Sequence, residues 1–183
     1  MTFLELVKRR RSTRKYSAKA VARDAIDRCL EAARLAPSAC NCQPWTFIIV
    51  DDDKMRNALA EKAFSGIHSM NAFAKAAPVQ IVVITERTSY IARLAGYLKG
   101  IQYSLIDIGI ACEHLILQAE EEGLGTCWLG WFDEKAVKEM LGVPKDKKID
   151  IIISMGYPEG ASDREISRKP LDEIRRYNPG VKI

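Results

Sequence analysis

Apolar and polar positions follow a helical period at the beginning of the chain. Thr2 and Glu5 have the spacing of a capping box, so a first helix is predicted from here into the arginines that follow. A second helix is predicted from about Val21 to Leu35, because apolar residues recur along one face: Ile26, Cys29, Leu30 and Ala33. Pro37 marks the end of this helix.

Three continuous apolar runs predict buried β-strands. They are Trp45–Val50, Val79–Thr85 and Ile149–Met155. Three aspartates follow the first run and are suited to capping a short helix that extends through Glu61. The sequence between residues 64 and 77 is less regular, and a short strand or extended loop is expected at 125–130.

The pattern from residue 89 to residue 122 is helical, with a break near Gly100. In its second half apolar side chains occupy nearly the whole circumference: Leu105, Ile106, Ile108, Ile110, Cys112, Leu115, Leu117 and Ala119. Because a helix that is apolar nearly all round is buried nearly all round, this pattern predicts a central helix covered by a second subunit. Its polar residues Tyr103, Asp107 and Glu113 are interpreted as interface or core groups rather than catalysts.

The last third of the chain combines a capped helix, a strand and a polar tail. Asp133 is expected to cap a helix that ends at Leu141, just before Gly142. From Gly160 onward the chain has no core of its own, so this tail is expected to fray or to extend over a neighbouring subunit. Since no linker or repeat divides the sequence, residues 1–183 are predicted to form one α+β domain.

Composition excludes several classes of protein. Apolar residues make up 48% and charged residues 28%, and no apolar run approaches the roughly 20 residues that a membrane-spanning helix needs. The basic cluster follows the first apolar stretch, which reverses the order of a secretory signal, so a cytoplasmic location is expected. The five cysteines form no CxxC pair and are expected to be reduced, and no ligand cluster for a metal surrounds His68 or His114.

Positive charge is concentrated near the beginning of the chain. Residues 1–34 hold ten Lys and Arg against four Asp and Glu, whereas the remainder holds eighteen against twenty. Such a cluster attracts an anion, which is either the phosphate of a small ligand or the backbone of a nucleic acid. The second alternative is less favoured, because the aromatic residues lie in apolar segments rather than among the basic ones.

The common nucleotide-binding and hydrolase motifs are absent from the sequence. No glycine-rich phosphate loop ending in Gly-Lys-Ser or Gly-Lys-Thr is present. Gly123-Leu124-Gly125 lacks the third glycine of a dinucleotide-binding fingerprint and does not follow a strand. No GxSxG nucleophile elbow is present either.

Three other segments have the composition of a ligand site. Arg10-Arg11-Ser12-Thr13-Arg14 can hold a phosphate through charge-assisted hydrogen bonds, although a solvated basic turn has the same pattern. Pro37-Ser38-Ala39-Cys40-Asn41-Cys42-Gln43-Pro44-Trp45 offers amide donors and acceptors suited to an isoalloxazine edge, or to a purely structural turn. The glycines of the segment 123–132 allow backbone to approach a flat ligand, although by itself this segment favours core positions for Trp128 and Trp131.

In order and spacing, these segments resemble the nitroreductase family. The matching residues are Arg10-Arg11-Ser12-x-Arg14, Pro37-Ser38-x-x-Asn41-x-Gln43-Pro44-Trp45, Gly123-Leu124-Gly125-Thr126-Cys127-Trp128, Gly156-Tyr157-Pro158 and Arg168-Lys169-Pro170-Leu171-Asp172-Glu173. They extend over nearly the whole chain, and five ordered matches are not expected by chance. The resemblance implies a central, mainly antiparallel sheet flanked by helices, and a homodimer with two FMN sites at an interface that includes the central helix.

The resemblance also implies which residues bind the phosphate end of FMN. Arg10, Ser12, Arg14 and Arg168 would hold the phosphate and the ribityl chain. Their neighbours Arg11 and Lys169 belong to the same predicted cofactor-binding set. The C-terminal segment, from about residue 160, would extend over the partner subunit.

A second implied group lines the flavin ring. From the other subunit come residues of the loop before the first strand: Pro37, Ser38, Ala39, Asn41 and Gln43. The Leu129–Gly130 backbone would contact the pyrimidine edge and N5, with Trp128 beside it. Asn71 is assigned to the flavin edge, within a segment from Phe64 to Lys75 that would form part of the pocket wall.

The chain departs from the family pattern at two points. Many members have a second serine after the proline, where this chain has Ala39, and larger members have Glu-Gly where this chain has Gly130-Trp131, so only the backbone role transfers. Cys40 and Cys42 invite interpretation as a redox disulfide, but the C-x-C spacing is tight for one.

The function implied by the resemblance is hydride transfer from NADH or NADPH, through FMN, to a small acceptor such as a nitroaromatic or a quinone. One flavin face would serve both partners in turn, which predicts ping-pong kinetics and no catalytic side chain. A specialised flavin enzyme of the same fold, either a reductive dehalogenase or a dehydrogenase of a bound substrate, is an alternative.

Overall fold

The computed structural model describes residues 1–86, 90–160 and 167–178, with the backbone alone at residues 90–93 and 95. Its α-helices are α1 (Phe3–Arg9), α2 (Arg23–Arg34), α3 (Asp53–Ala63), α4 (Tyr90–Lys99), α5 (Tyr103–Glu121), α6 (Glu134–Leu141) and α7 (Leu171–Ile174). Its strands are β1 (Trp45–Val50), β2 (Val79–Thr85), β3 (Gly125–Leu129) and β4 (Lys148–Gly156). Two segments form 3-10 helix, Ala39–Asn41 and Gly66–Ala76.

The four strands form one antiparallel sheet in the order β1-β2-β4-β3. β2 and β4 occupy the centre of the sheet, and β2 is buried from Val79 through Ile84. Burial on both faces is the reason that these strands are largely apolar rather than alternating, with Gln80 and Ser154 as their buried polar residues. The mainly antiparallel sheet expected from the sequence is therefore confirmed.

Helices cover both faces of the sheet. On one face α2 and α5 pack together over side chains such as Ile81 and Val83 of β2. On the other face α3 and α6 cover Val82 and Ile84 of the same strand, because successive side chains of a strand point to opposite faces. The result is a three-layer α+β arrangement with apolar packing on each side of one sheet.

The long helical pattern is interrupted where the sequence predicted a break. α4 ends at Lys99, and the Ile101 N–H bonds back to the Gly96 carbonyl at 2.8 Å before α5 begins. Eight of the nineteen residues of α5 are buried in the protomer, but Leu105 and Ile106 remain 43% and 51% exposed. Burial on nearly all sides is therefore not achieved within one chain.

Local capping signals were confirmed at several helix ends. At α1 the Thr2 N–H bonds Glu5 Oε2 at 2.7 Å and the Glu5 N–H bonds Thr2 Oγ1 at 3.3 Å. Asp133 caps α6, where its Oδ1 accepts the Ala136 N–H at 3.0 Å.

In the part of the tail that is described, residues 167–178, every residue is exposed. None of the described helices combines the length and apolar character that crossing a bilayer requires.

Candidate active site

The basic segment Arg10–Arg14 lies along the edge strand β3. Ser12 forms a parallel bridge with Thr126, and the Thr13 N–H bonds the Thr126 carbonyl at 2.8 Å. This pairing brings the densest positive charge of the chain to the beginning of β3. The strand ends at Leu129, and Gly130 follows directly.

Tyr16 anchors the same segment to the sheet. Its hydroxyl is 2.7 Å from the Thr13 carbonyl, which accepts its hydrogen bond, and 2.8 Å from Ser154 Oγ. Burial raises the pKa of Tyr16, so the phenol stays neutral and able to donate at physiological pH. The path of the basic segment is therefore set by buried contacts rather than by its own charges.

The arginines of this segment differ in what they contact. Arg9 is 3.4 Å from the Glu120 carboxylate, and Arg11 bonds backbone carbonyls, including its neighbour's at 3.1 Å. Arg10 and Arg14 form no ion pair within the part of the chain that is described. Their charges are therefore available for an anionic ligand.

A wall of side chains faces the end of β3 from the Gly66–Ala76 segment. Asn71 Nδ2 donates to the Trp131 carbonyl at 2.9 Å, and Trp131 Nε1 donates to the Ile67 carbonyl at 2.9 Å. The His68 ring lies 5.1 Å from the Trp131 ring, tilted by 50°. These contacts hold the wall against the residues that follow Leu129.

The two tryptophans have different environments. Trp128 is partly buried and packs against the core, as the sequence favoured. The core interpretation was wrong for Trp131, which is 50% exposed. Its indole lies outside the core, where its N–H donates to the Ile67 carbonyl.

A further contact closes the site. The Arg14 guanidinium lies 5.8 Å from the centre of the Phe73 ring, within the range of a cation–π interaction. The basic segment therefore contacts both β3 and the Gly66–Ala76 segment. The side chain of Leu129 is buried, whereas Gly130 is exposed, so backbone is accessible where the sequence assigned a backbone role.

The amide-rich loop between α2 and β1 has a strained conformation. Three of its non-glycine residues have left-handed backbone, with φ of 53° at Cys40, 52° at Asn41 and 47° at Gln43. The Gln43 N–H bonds Ser38 Oγ at 2.9 Å. Outside the loop, the Ala39 N–H donates to Asp107 Oδ1 of α5 at 3.0 Å.

The tail residues assigned to the phosphate site lie at the surface. Arg168 and Lys169 are both exposed, and Arg168 Nη1 bonds its neighbour's carbonyl at 3.1 Å. Their contact with the phosphate of FMN stays a prediction.

No disulfide bond joins any two of the five cysteines, all of which lie in the described residues. Cys40 is exposed and Cys42 partly exposed. Burial raises the pKa of Cys29 and of Cys112 to about 12, so neither is a thiolate near neutral pH.

Sequence reasoning assigned the segment from Phe64 to Lys75 to the pocket wall without singling out His68 or Phe73, and it missed Tyr16. Phe73 and His68 lie in a segment with no regular period, and Tyr16 follows the basic cluster without any motif. The available signal was proximity along the chain, because Phe73 is two residues from Asn71 and Tyr16 is two residues from Arg14.

Comparisons with known proteins identify the family of the chain. The sequence profile of the nitroreductase family matches residues 7–157. A protein of Archaeoglobus fulgidus, provisionally named NADH dehydrogenase/NAD(P)H nitroreductase, is 34% identical over 164 residues, which are 87% of each chain. An iodotyrosine deiodinase of Thermotoga neapolitana is 26% identical over 95% of this chain and 96% of its own.

Solved structures show the same similarity in three dimensions. An FMN-dependent nitroreductase of Clostridium difficile R20291 matches with a TM-score of 0.69 and 30% identity, covering 93% of this chain and 94% of its own. The fold, the ordered motifs and the family profile lead to one conclusion. The chain is an oxidoreductase and belongs to the nitroreductase family.

Proposed function

We propose that this protein is an FMN-dependent oxidoreductase that transfers a hydride from NADH or NADPH to a small acceptor such as a nitroaromatic or a quinone. The observation that carries the proposal is that the basic segment lies between β3, through the Ser12–Thr126 bridge, and the Gly66–Ala76 segment, through the Arg14–Phe73 contact. The similarity to an FMN-dependent nitroreductase supports it.

The residues around this region fit the two ends of FMN. Arg10 and Arg14 offer positive charge without a carboxylate partner in the described ranges, and Ser12 adds a hydroxyl, which together suit a phosphate. The exposed backbone at Gly130 suits the edge of the ring. Arg168 and Lys169 would join the phosphate group from the tail.

FMN, when bound, supplies the hydride chemistry itself. The chain binds the cofactor, orients it and favours negative charge through Arg10 and Arg14. Ile67, His68 and Trp131 would line one side of the cofactor site. The nicotinamide donor and the acceptor would therefore occupy the same space in turn. Ping-pong kinetics follow from that sharing.

The functional unit would be a homodimer formed through α4, α5 and the tail. Large apolar side chains of these elements are exposed on the single chain: Tyr97, Leu98, Leu105, Ile106, Ile174 and Tyr177. Exposed apolar surface of this extent is typical of a protein interface. The loop at residues 37–43 would then reach the flavin of the partner subunit.

Analysis of the bound cofactor tests the proposal directly. The purified protein should be yellow, and heating should release the mononucleotide. Recovery of FAD, or a colourless protein that does not bind added FMN, would contradict it. Initial rates with NADH or NADPH and a quinone should give parallel lines in double-reciprocal plots, whereas intersecting lines would contradict alternate binding.

A reductive dehalogenase is the second candidate, because the similarity to the Thermotoga iodotyrosine deiodinase extends over nearly the full length of both chains. Release of iodide from iodotyrosine by the chemically reduced protein would favour this function. Fast NADPH-dependent turnover of a nitroaromatic or a quinone, without iodide release, would favour the general reductase.

A further inference from the structure

Asp107 of the central helix contacts the strained loop before β1. The residue is only 3% exposed, and its Oδ1 accepts the Ala39 N–H at 3.0 Å. This hydrogen bond ties the Ser38–Gln43 turn to α5, across 68 residues of sequence.

The second carboxylate oxygen of Asp107 indicates that stability alone does not account for an aspartate here. Asp107 Oδ2 is buried and has no hydrogen-bond partner among the residues that the structure describes. A buried polar atom without a partner costs folding free energy, and more so when the group is charged. The aspartate side chain therefore has a role that an apolar residue could not fill.

The Ser38–Gln43 turn needs an external tie because its conformation is unfavourable. Left-handed backbone at Cys40, Asn41 and Gln43 is maintained only where surrounding contacts impose it. Hydrogen bonds within the turn, such as Gln43 N–H to Ser38 Oγ, define its internal shape. The hydrogen bond to Asp107 holds the turn in place against the central helix α5.

Asp107 follows directly after the exposed apolar pair on α5. Leu105 and Ile106 belong to the surface assigned above to the dimer interface. The same part of α5 therefore contains both the residues of the proposed subunit contact and the aspartate that bonds the Ser38–Gln43 turn. Binding of the partner to this face would determine where the turn lies relative to the partner's cofactor.

We propose that Asp107 is a positioning residue, which holds the Ser38–Gln43 turn so that its amide side chains meet the FMN ring of the partner subunit. This inference rests on the proposed function. Asp107 acts through Ala39 and the turn, and it does not itself touch the cofactor.

Two substitutions remove the hydrogen bond from opposite sides, and one retains it. Asp107→Ala removes the acceptor, whereas Asp107→Asn keeps an oxygen in its place. Ala39→Pro removes the donor, and the extended backbone of Ser38 (φ −145°, ψ 156°) is the conformation that a residue before proline adopts. Cys112→Ala is the matched control, because Cys112 is buried on the same helix and forms none of the hydrogen bonds that hold the turn.

FMN titration of the apoprotein and hydrogen exchange of its backbone are the two measurements. Asp107→Ala and Ala39→Pro should each weaken FMN binding by about tenfold or more, the loss expected for one hydrogen bond to a charged group. Asp107→Asn should stay within about threefold of the parent, and so should Cys112→Ala. Without FMN, amides of residues 39–43 should exchange faster in Asp107→Ala than in Asp107→Asn.

The outcomes separate this inference from the function on which it rests. If the parent binds FMN and both bond-removing variants bind it equally well, Asp107 has no positioning role, although the proposed function stands. A parent that does not bind FMN overturns both. Should Asp107→Ala fail to fold, Ala39→Pro still decides, because it leaves the buried side chains of α5 intact.

Discussion

Thr13 packs directly against the bare α-carbon of Gly125. A β-carbon added to Gly125 would lie 2.2 Å from Thr13 Oγ1 and 2.7 Å from Thr13 Cβ, distances that real side chains do not reach. Glycine is therefore required at this position for the basic segment to lie on β3. The segment that supplies Arg10 and Arg14 owes its place to this contact.

Gly125→Ala should accordingly weaken FMN binding and lower the melting temperature together. The new methyl group displaces Thr13 and moves the arginines that follow the strand edge. A fluorescence titration should show at least a tenfold loss of FMN affinity. The double variant with Thr13→Gly is the control, because the three nearest atoms to the new β-carbon all belong to the Thr13 side chain. If the double variant does not recover affinity, this contact does not position the segment.

Arg10→Ala should reduce FMN affinity without unfolding the protein. Losing a charged hydrogen bond to phosphate costs about 1.5–3 kcal/mol, or roughly 10- to 150-fold in dissociation constant. Arg23→Ala removes the same charge from an exposed pair with Asp51, and it should leave the affinity unchanged. Equal affinities of the parent and Arg10→Ala in a cofactor titration would remove Arg10 from the site.

Ile106→Asp should convert the proposed dimer into a monomer and release its FMN. The side chain is 51% exposed on the single chain, and a carboxylate there would have to be desolvated in the interface. Met55→Asp is a matched control, since Met55 is 48% exposed on α3, on the other face of the sheet. Light scattering should show a dimer for the parent and the control. A parent that is a folded monomer with FMN bound would refute the dimer.

The stability contributed by Glu134 should depend on pH. Burial by itself raises the pKa of this carboxyl, but hydrogen bonds from Lys138, Lys148 and the Ile149 N–H lower it to about 2 from its ordinary 4.5. Because the pKa is lower in the folded protein, the ionised carboxylate stabilises the fold at pH values above the pKa of the unfolded chain. This stabilisation is lost as pH falls from about 4.5 to about 2. It amounts to about 3 kcal/mol at most, and solvent around the partly exposed group reduces it.

Glu134→Gln should therefore be less stable than the parent near pH 7 and nearly equal to it near pH 2. Urea unfolding at several pH values measures this difference. Glu139→Gln makes the same substitution at an exposed position of α6, without an ion pair in the described residues, and should show no such pH dependence. A constant difference between parent and Glu134→Gln at all pH values would contradict the assignment.

The sequence by itself determined the secondary structure and the family. The predicted bounds of β1 and β2 are the observed ones, and the capping box at Thr2 and Glu5 forms as expected. These features depend on side chains within a few residues of one another, and on burial of β1, β2 and β4 in one sheet. The family followed from motifs that need only order and spacing to be recognised.

Only the tertiary structure decided which of those motifs meet within one protomer. Thr13 against Gly125, Arg14 over Phe73 and Asp107 on Ala39 are contacts between residues far apart in sequence, and no periodicity encodes them. The structure likewise leaves Trp131 half exposed rather than in the core. Such outcomes depend on how whole elements pack, because a hydrogen bond or a ring contact requires two backbones to be placed within a few ångströms of each other.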